Sequence, residues 1–341
     1  MGDKTEFDNY LLKLVDRNDT VGNSLYLYNI HEILRDVWRE IIDKNKKISV
    51  RKVLPDKLDL EPTHLYAIIK GKRGISIQST YNLLLLWKQY CKKKEDEIKQ
   101  IWDKVYKTST IASFSKSEKL LLPKTLTPDL CYLIGYIVGD GCFDPSGNHY
   151  RLKISEKNKE QLETILKPLI TEIFGVKCIV KNEGSGRDNS NFLLINSKPI
   201  FRFFRNVLEV RVGEIPKIIQ NTNAENKRFF LRGIFDSEGS VDPNYLRGKI
   251  RIFQKSKAFL QEIIKILKCL GIQTNGPYGP HFKYPSKNFH YFSSWYSIEI
   301  RKKSEILKFI EKVGSWHIEK ASKMKILSSE IHNRYKYMHS K

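Results

Sequence analysis

The 341-residue sequence contains no apolar run near the roughly 18–20 residues a membrane-crossing helix needs; Tyr132–Val138 is among its longest. Its opening, Met1-Gly2-Asp3-Lys4, leads into polar sequence, not into the apolar core of a signal peptide. Its five cysteines (Cys91, Cys131, Cys142, Cys178, Cys269) form no C-x-x-C pair, which excludes a zinc ribbon. Their odd number argues against a disulfide scaffold and predicts a reducing, cytoplasmic setting. Acidic residues are scarce: 38 Asp and Glu face 60 Lys and Arg, for a net charge of +22. The basic surplus is 7 over residues 1–124 and 15 over residues 125–341. Such an excess predicts a polyanionic partner, with nucleic acid the first choice. What is present is ample core material, 40% hydrophobic and 11% aromatic residues, which excludes a disordered chain. The length predicts two or three domains.

Residues 25–106 read as helices. Leu25–Asn45 carries apolar residues at 30, 33, 34, 37, 38, 41 and 42, a 3.6-residue period. Asn82–Tyr90 is a second apolar helical stretch, continued by the charged segment Lys92–Lys107. Residues 108–128, rich in Ser, Thr, Lys and Pro, read as a linker. Beyond it lies an internal repeat. Shifting the chain by 98 residues lays 133–169 on 231–267 without a gap. Gly135/Gly233, Gly141/Gly239, Asp144/Asp242, Pro145/Pro243, Ile154/Ile252 and Lys157/Lys255 are among the identical pairs. Each copy runs through a short apolar helix, a turn with Asp-Pro, an alternating strand (149–155; 247–253) and an amphipathic helix (158–174; 257–270). Two strand-like segments (176–182 and 191–196; about 277–283 and 290–301) and a closing helix (198–208; 304–313) complete it. The order is αββαββα twice, an α+β class in which helices cover one face of each sheet and leave the other for a ligand.

The first helix of each copy has small residues four apart, Gly135 and Gly139, Gly233 and Ser237. That spacing puts them on one face and lets two backbones approach. The two helices are expected to pack on each other about a pseudo-twofold axis. Asp140 and Glu238 would then meet at the ends of the pair, with Gly141 and Gly239 taking the helix-ending C′ role. A carboxylate at a helix C-terminus opposes the dipole, and two together repel, so a cation is needed. A divalent metal with oxygen ligands suits the place, and two carboxylates under a basic surface predict metal-assisted phosphodiester hydrolysis. In the strands, Arg247, Lys249 and Arg251 alternate with Gly248, Ile250 and Ile252, and His149, Arg151 and Lys153 with Tyr150 and Leu152. A period of two sets three basic side chains on one face of each strand, suited to a DNA groove.

LIGYIVGDG (133–141) and LRGIFDSEG (231–239) resemble the two signature motifs of the LAGLIDADG homing endonucleases, over about residues 125–335. Ile134 and Val138 stand in place of Ala and Asp in the first motif, and Arg232 in place of Ala in the second. The resemblance implies a saddle-shaped, two-repeat, single-chain DNA endonuclease. It makes Asp140 and Glu238 the metal-binding acids and the carbonyls of Gly139 and Ser237 further ligands. It implies Mg²⁺, with Mn²⁺ able to substitute, and a long, asymmetric double-stranded target bound by a monomer. It also makes Gln254, with Glu156 as its counterpart, a water-organising residue. The closing segment VGSWHIEKASKMKIL (313–327) offers His317 and Lys320 as basic residues near the acids, and EIPK (214–217) offers Lys217. Two alternatives stay open: a relative that has lost cleavage and acts as a DNA-binding regulator, and an RNA-splicing maturase. Splicing as an intein finds no support, since an initial Cys or Ser nucleophile and a terminal His-Asn are lacking.

Residues 50–84 resemble a helix-turn-helix of the phage-repressor type. Pro62 suits the first turn of a helix whose Leu65, Ile68 and Ile69 are buried and which Gly71 ends. Thr63, His64 and Lys70 would face DNA, and Lys72 and Arg73 would hold phosphates. The expected division is an all-α domain over 1–107 with the helix-turn-helix at about 50–90, a linker at 108–128, and repeats at 129–222 and 223–341.

Overall fold

The computed structural model describes residues 5–16, 24–45, 57–58, 60–113, 119–145, 150–182, 191–244, 246, 248–284 and 292–339, with side chains as far as 333. The N-terminal part holds β1 (Thr5–Glu6), β2 (Tyr26–Tyr28), α1 (His31–Lys44), α2 (Pro62–Ile69), β3 (Ile75–Ser76), α3 (Ile77–Cys91), α4 (Glu95–Thr108), β4 (Thr110–Ala112) and β5 (Thr125–Leu126). The first repeat has α5 (Pro128–Asp140), β6 (Gly141–Asp144) and β7 (Arg151–Glu156). Helix α6 follows as Lys159–Gln161, a π-helical turn Leu162–Leu166 and Lys167–Phe174. Then come β8 (Ile179–Asn182), β9 (Asn191–Asn196), α7 (Lys198–Arg202 with a π-helical turn Phe203–Val207) and the short α8 (Lys217–Gln220). The second repeat has α9 (Ala224–Glu238), β10 (Gly239–Asp242), β11 (Lys249–Gln254), α10 (Lys257–Cys269), β12 (Asn275–Lys283), β13 (Ser293–Ile300), α11 (Lys303–Lys312) and α12 (Ile318–His339).

The two repeats build antiparallel sheets of the same order, β6-β7-β9-β8 and β10-β11-β13-β12. Alternation along β7 and β11 buries Leu152, Ile154, Ile250 and Ile252 under the helices and leaves the basic residues between them half-exposed. The repeats meet through α5 and α9. Thr127 caps α5, accepting from the Leu130 amide at 3.2 Å ahead of Pro128, and Asn223 caps α9 from Asn226 at 2.9 Å. Between caps and acids the helices touch main chain to main chain. A Cβ on Gly135 would fall on the carbonyl oxygen of Phe230, and one on Gly233 on that of Tyr132.

Four expectations need correction. Gly141 and Gly239 are extended (φ −81° and −92°), not left-handed; each strand leaves its helix directly. Glycine is required because a side chain would strike the last helical turn, at the carbonyls of Ile137 and Phe235. The N-terminal part is not all-α: β3-β2-β4 form a sheet, and Leu25–Asn45 is helical only from His31. Leu27, 1% exposed, pairs between Ile75 and Ile111, and Asn29 at φ 63° turns the chain into α1. The helix expected from Asn82 to Lys107 breaks at Lys92, whose φ is 53°. The segment 108–128 is structural: β4 joins the N-terminal sheet, β5 pairs with β1, and Leu120, Leu122 and Leu126 are buried.

The first segment of the chain is fastened to the first repeat. The buried Arg202 of α7 donates to the Leu14 carbonyl at 2.8 Å, Asn206 donates to that of Lys13 at 3.2 Å, and the Tyr10 ring lies 5.4 Å from that of Phe203.

Candidate functional site

The α5–α9 pair brings Asp140 and Glu238 together at its C-terminal ends. Burial, then the charge of Glu156, pushes the Asp140 carboxyl up to about 6, opposed by Lys320. Burial, then the charge of Asp140, pushes Glu238 up to about 7, against a hydrogen bond from Gln254 and the charges of Lys320 and Lys255. Both carboxylates are thus held where burial and a like charge outweigh the compensation Lys320 gives them.

The second strand after each acid ends on a polar residue, Glu156 on β7 and Gln254 on β11. The Gln254 amide donates to Glu238 Oε1 at 3.0 Å. Glu156 turns elsewhere. It accepts the Tyr136 hydroxyl at 2.5 Å and the Asn158 amide at 3.0 Å, and lies 3.6 Å from Nε2 of His317. Burial alone would raise its carboxyl; the hydrogen bonds of His317, Tyr136 and Asn158 and the His317 charge outweigh it and hold it at about 2.

Lys320, in the first turn of α12, donates to the carbonyls of Phe235 (3.1 Å), Asp236 (2.7 Å) and Ser237 (3.3 Å). Its ammonium covers the negative end of the α9 dipole. Burial lowers its pKa, opposed by the charges of Asp236, Glu156, Asp140 and Glu238. Sequence reading missed the group that places it. Asp236, fully buried, accepts from the Tyr132 hydroxyl (2.9 Å), the Ser315 hydroxyl (2.5 Å) and the amides of Trp316 (2.8 Å) and His317 (3.1 Å). It fixes the turn from which His317 and Lys320 enter the site. The available signal was its place inside the second motif, where the first motif has Val138. Lys217 is exposed at the start of α8; the cation shared by the two carboxylates is Lys320.

Asp140 and Glu238 fit a hard divalent ion in charge and in oxygen donors. Among the described residues no three His, Cys, Asp or Glu side chains converge as a metal cage. An ion held there would complete its shell with main-chain carbonyls, water or substrate oxygens, as Mg²⁺ commonly does. Of the two carbonyls expected as ligands, that of Ser237 already accepts from Lys320.

On the open sheet faces Arg151, Lys153, Lys249 and Arg251 are half-exposed. His149 and Arg247 lie outside the described residues. Lys153 lies 4.3 Å from the Phe192 ring centre and Arg251 5.2 Å from that of Phe253. Glu299, directly opposite Arg251 and nearly buried, binds Lys249 at 3.2 Å and pairs with Arg301. Sequence reading did not single it out, although the alternation Ser297-Ile298-Glu299-Ile300 puts it on the basic face. In α2, Pro62 opens the helix and Gly71 (φ 72°) follows its end; Leu65 and Ile68 are buried and Ile69 partly so. Thr63, Lys70, Lys72 and Arg73 are exposed, and His64 lies 3.5 Å from Glu61. Residues 50–56 of the expected helix-turn-helix lie outside the described residues.

Comparison with known proteins bears on the same two segments. Residues 225–314 match the family model of the LAGLIDADG-like domain, and residues 130–185 that of the WhiA LAGLIDADG-like domain. The chain is 38% identical over 158 residues to a glutamine–fructose-6-phosphate aminotransferase (isomerizing) of Methanocaldococcus jannaschii, covering 44% of this chain and 13% of that protein. It is 23% identical over 242 residues to the ribonucleoside-diphosphate reductase NrdEB subunit alpha of Bacillus subtilis, covering 67% and 22%. The chain thus spans under a quarter of the length of these curated relatives. Among solved structures it is similar to I-DmoI in complex with DNA and Ca, with TM-score 0.41, 23% identity, and coverage of 58% of this chain and 97% of that one. Each matched segment opens on a motif helix, so the two repeats of this chain carry LAGLIDADG-like domains, one at residues 130–185 and one at 225–314.

Proposed function

We propose that the protein is a site-specific double-strand DNA endonuclease of the homing type, working as a monomer on a long, asymmetric target. The observation that carries the reading is the matched carboxylate pair: Asp140 and Glu238, at equivalent ends of two helices in main-chain contact, both pushed up by burial and by neighbouring charge. Asp140 and Glu238, with the Gly139 carbonyl, would hold Mg²⁺ (or Mn²⁺). When bound, the ion would activate a water and stabilise the leaving oxygen. The chain's own residues do the rest. Gln254 orients Glu238, and Glu156 fixes His317. Lys320 supplies positive charge where a scissile phosphate would enter. Arg151, Lys153, Lys249 and Arg251, with His149 and Arg247, would follow the phosphates and base edges. In the N-terminal domain (1–107), Thr63, His64, Lys70, Lys72 and Arg73 of a helix-turn-helix would add contacts beyond the repeats. The described cysteines are free, in keeping with a cytoplasmic setting.

A second reading is a DNA-binding regulator that does not cut. It is favoured by Lys320, which already offsets the carboxylates and occupies the Ser237 carbonyl. Incubation with a randomised duplex library and Mg²⁺, followed by sequencing of cut ends, separates the two. The nuclease reading expects discrete cut sites. Asp140→Asn and Glu238→Gln should abolish double-strand cleavage while folding and most binding persist. Binding to a selected site by a wild-type protein that never cuts establishes the regulator instead.

A further inference from the structure

The two sheets share one strand order, so each row of side chains on one open face has a counterpart on the other. Lys153 and Arg251 are equivalent under the 98-residue shift. Beside Lys153 the row continues with Leu194 of β9 and Ile179 of the edge strand β8. Beside Arg251 it continues with Glu299 of β13 and Asn275 of β12. One row thus passes from a cation to two aliphatic side chains, the other from a cation to a carboxylate and a carboxamide. Alternation fixes the side on which the aliphatic pair stands. Leu193 and Ile195 are buried under the helices, whereas Leu194 is half-buried and Ile179 is 55% exposed. The next row holds the exposed Lys181 and Phe192, whose ring centre lies 4.3 Å from the Lys153 ammonium. The apolar pair therefore sits among cations on a face suited to a polyanion. Phosphates gain nothing from an aliphatic side chain. On the major-groove edges of the base pairs the one apolar group is the C5-methyl of thymine; the other groups there are hydrogen-bond donors and acceptors.

We propose that Ile179 and Leu194 form a thymine-methyl reader, so that the half of the target under the first repeat carries an A·T pair at this row. The equivalent position under the second repeat faces Arg251, Glu299 and Asn275 and is read by hydrogen bonds instead. This rests on the reading that the open sheet faces bind duplex DNA, with or without cleavage. Lys153 and Lys181 hold the strand beside the pair, and the aliphatic side chains take the methyl out of water. Glu299, tied to Lys249 at 3.2 Å and to Arg301, keeps the second row polar.

Binding of the full chain to a duplex selected from a randomised library, without divalent metal so that no cutting intervenes, tests this. Each thymine of the duplex is replaced in turn by deoxyuridine, which differs only in lacking the methyl. At one thymine, or two adjacent ones, in one half of the target, replacement should weaken binding by about 4-fold, the worth of one buried methyl-sized group. Ile179→Ala should weaken binding to the thymine duplex by a similar factor and make that same replacement neutral. The Ile179 side chain is largely exposed, so its removal should leave the melting curve in place; Leu194→Ala is the second variant and should blunt the same replacement. Asn275→Ala should leave it at full size. Deoxyuridine effects that persist at full size in both Ile179→Ala and Leu194→Ala overturn the proposal, and so does a target on which no replacement matters; in either case DNA binding stands. A wild type that selects no duplex from the library overturns both.

Discussion

Asp236 is fully buried, yet its four hydrogen bonds fix the turn from which α12 enters the site. Asp236→Ala would leave the Tyr132 hydroxyl and the Trp316 amide without their acceptor, while Ser315 and His317 keep only their bonds to each other. Each such donor costs about 1–3 kcal/mol, so a loss of at least about 2 kcal/mol is expected in denaturant unfolding, and cleavage should fall as Lys320 loses its anchorage. The two acids predict a pH dependence of stability. Their folded values, about 6 and about 7, lie above the ordinary carboxylate range, so the folded state holds protons that the unfolded chain releases. Their contribution to stability therefore falls as pH rises through those values. Without metal, the melting temperature should climb from about pH 8 to about pH 5, and Asp140→Asn or Glu238→Gln should flatten that climb. Asp140 and Glu238 were legible in the sequence because they recur at one spacing. Asp236 was not, because its meaning lies in Tyr132 and Trp316, 104 and 80 residues away along the chain.

Among the elements, the motif helices were the easiest to foresee: small residues four apart leave two backbones nothing between them. Gly135→Ala should therefore destabilise strongly. Overpacking usually costs about 1–3 kcal/mol, and here no side chain can rotate aside, so the upper end or beyond is expected in a melting curve. The long strands were legible through their period of two, β9 to the residue. The N-terminal strands were not: β2, β3 and β4 have two or three residues each, too few for any period to show. They are held by pairing with segments distant in sequence, Leu27 with both Ile75 and Ile111. The segment 108–128 looked like a linker for a related reason. Its composition is that of a loop, while its few apolar residues, Ile111, Leu120, Leu122 and Leu126, are all spent on the core.

For the molecule as a whole, the +22 charge and two basic sheet faces predict tight, salt-sensitive duplex binding. Affinity should fall by about 0.9 log units per log unit of salt for each phosphate contact, and a flat salt profile on a selected target would speak against these faces as the interface. Sedimentation should find one chain per duplex, since the helix pair that a dimer would need is already made within the chain. The fastening of the first segment to α7 has a consequence in time. Leu14 and the arginine that holds it are 188 residues apart. At about 5–20 residues per second of synthesis, roughly 10–40 s pass between the appearance of one and of the other. Through that interval the carbonyls of Lys13 and Leu14 lack their donors, and the Tyr10 ring waits about half of it for Tyr106 and all of it for Phe203. The part of the chain made first is among the last to be finished.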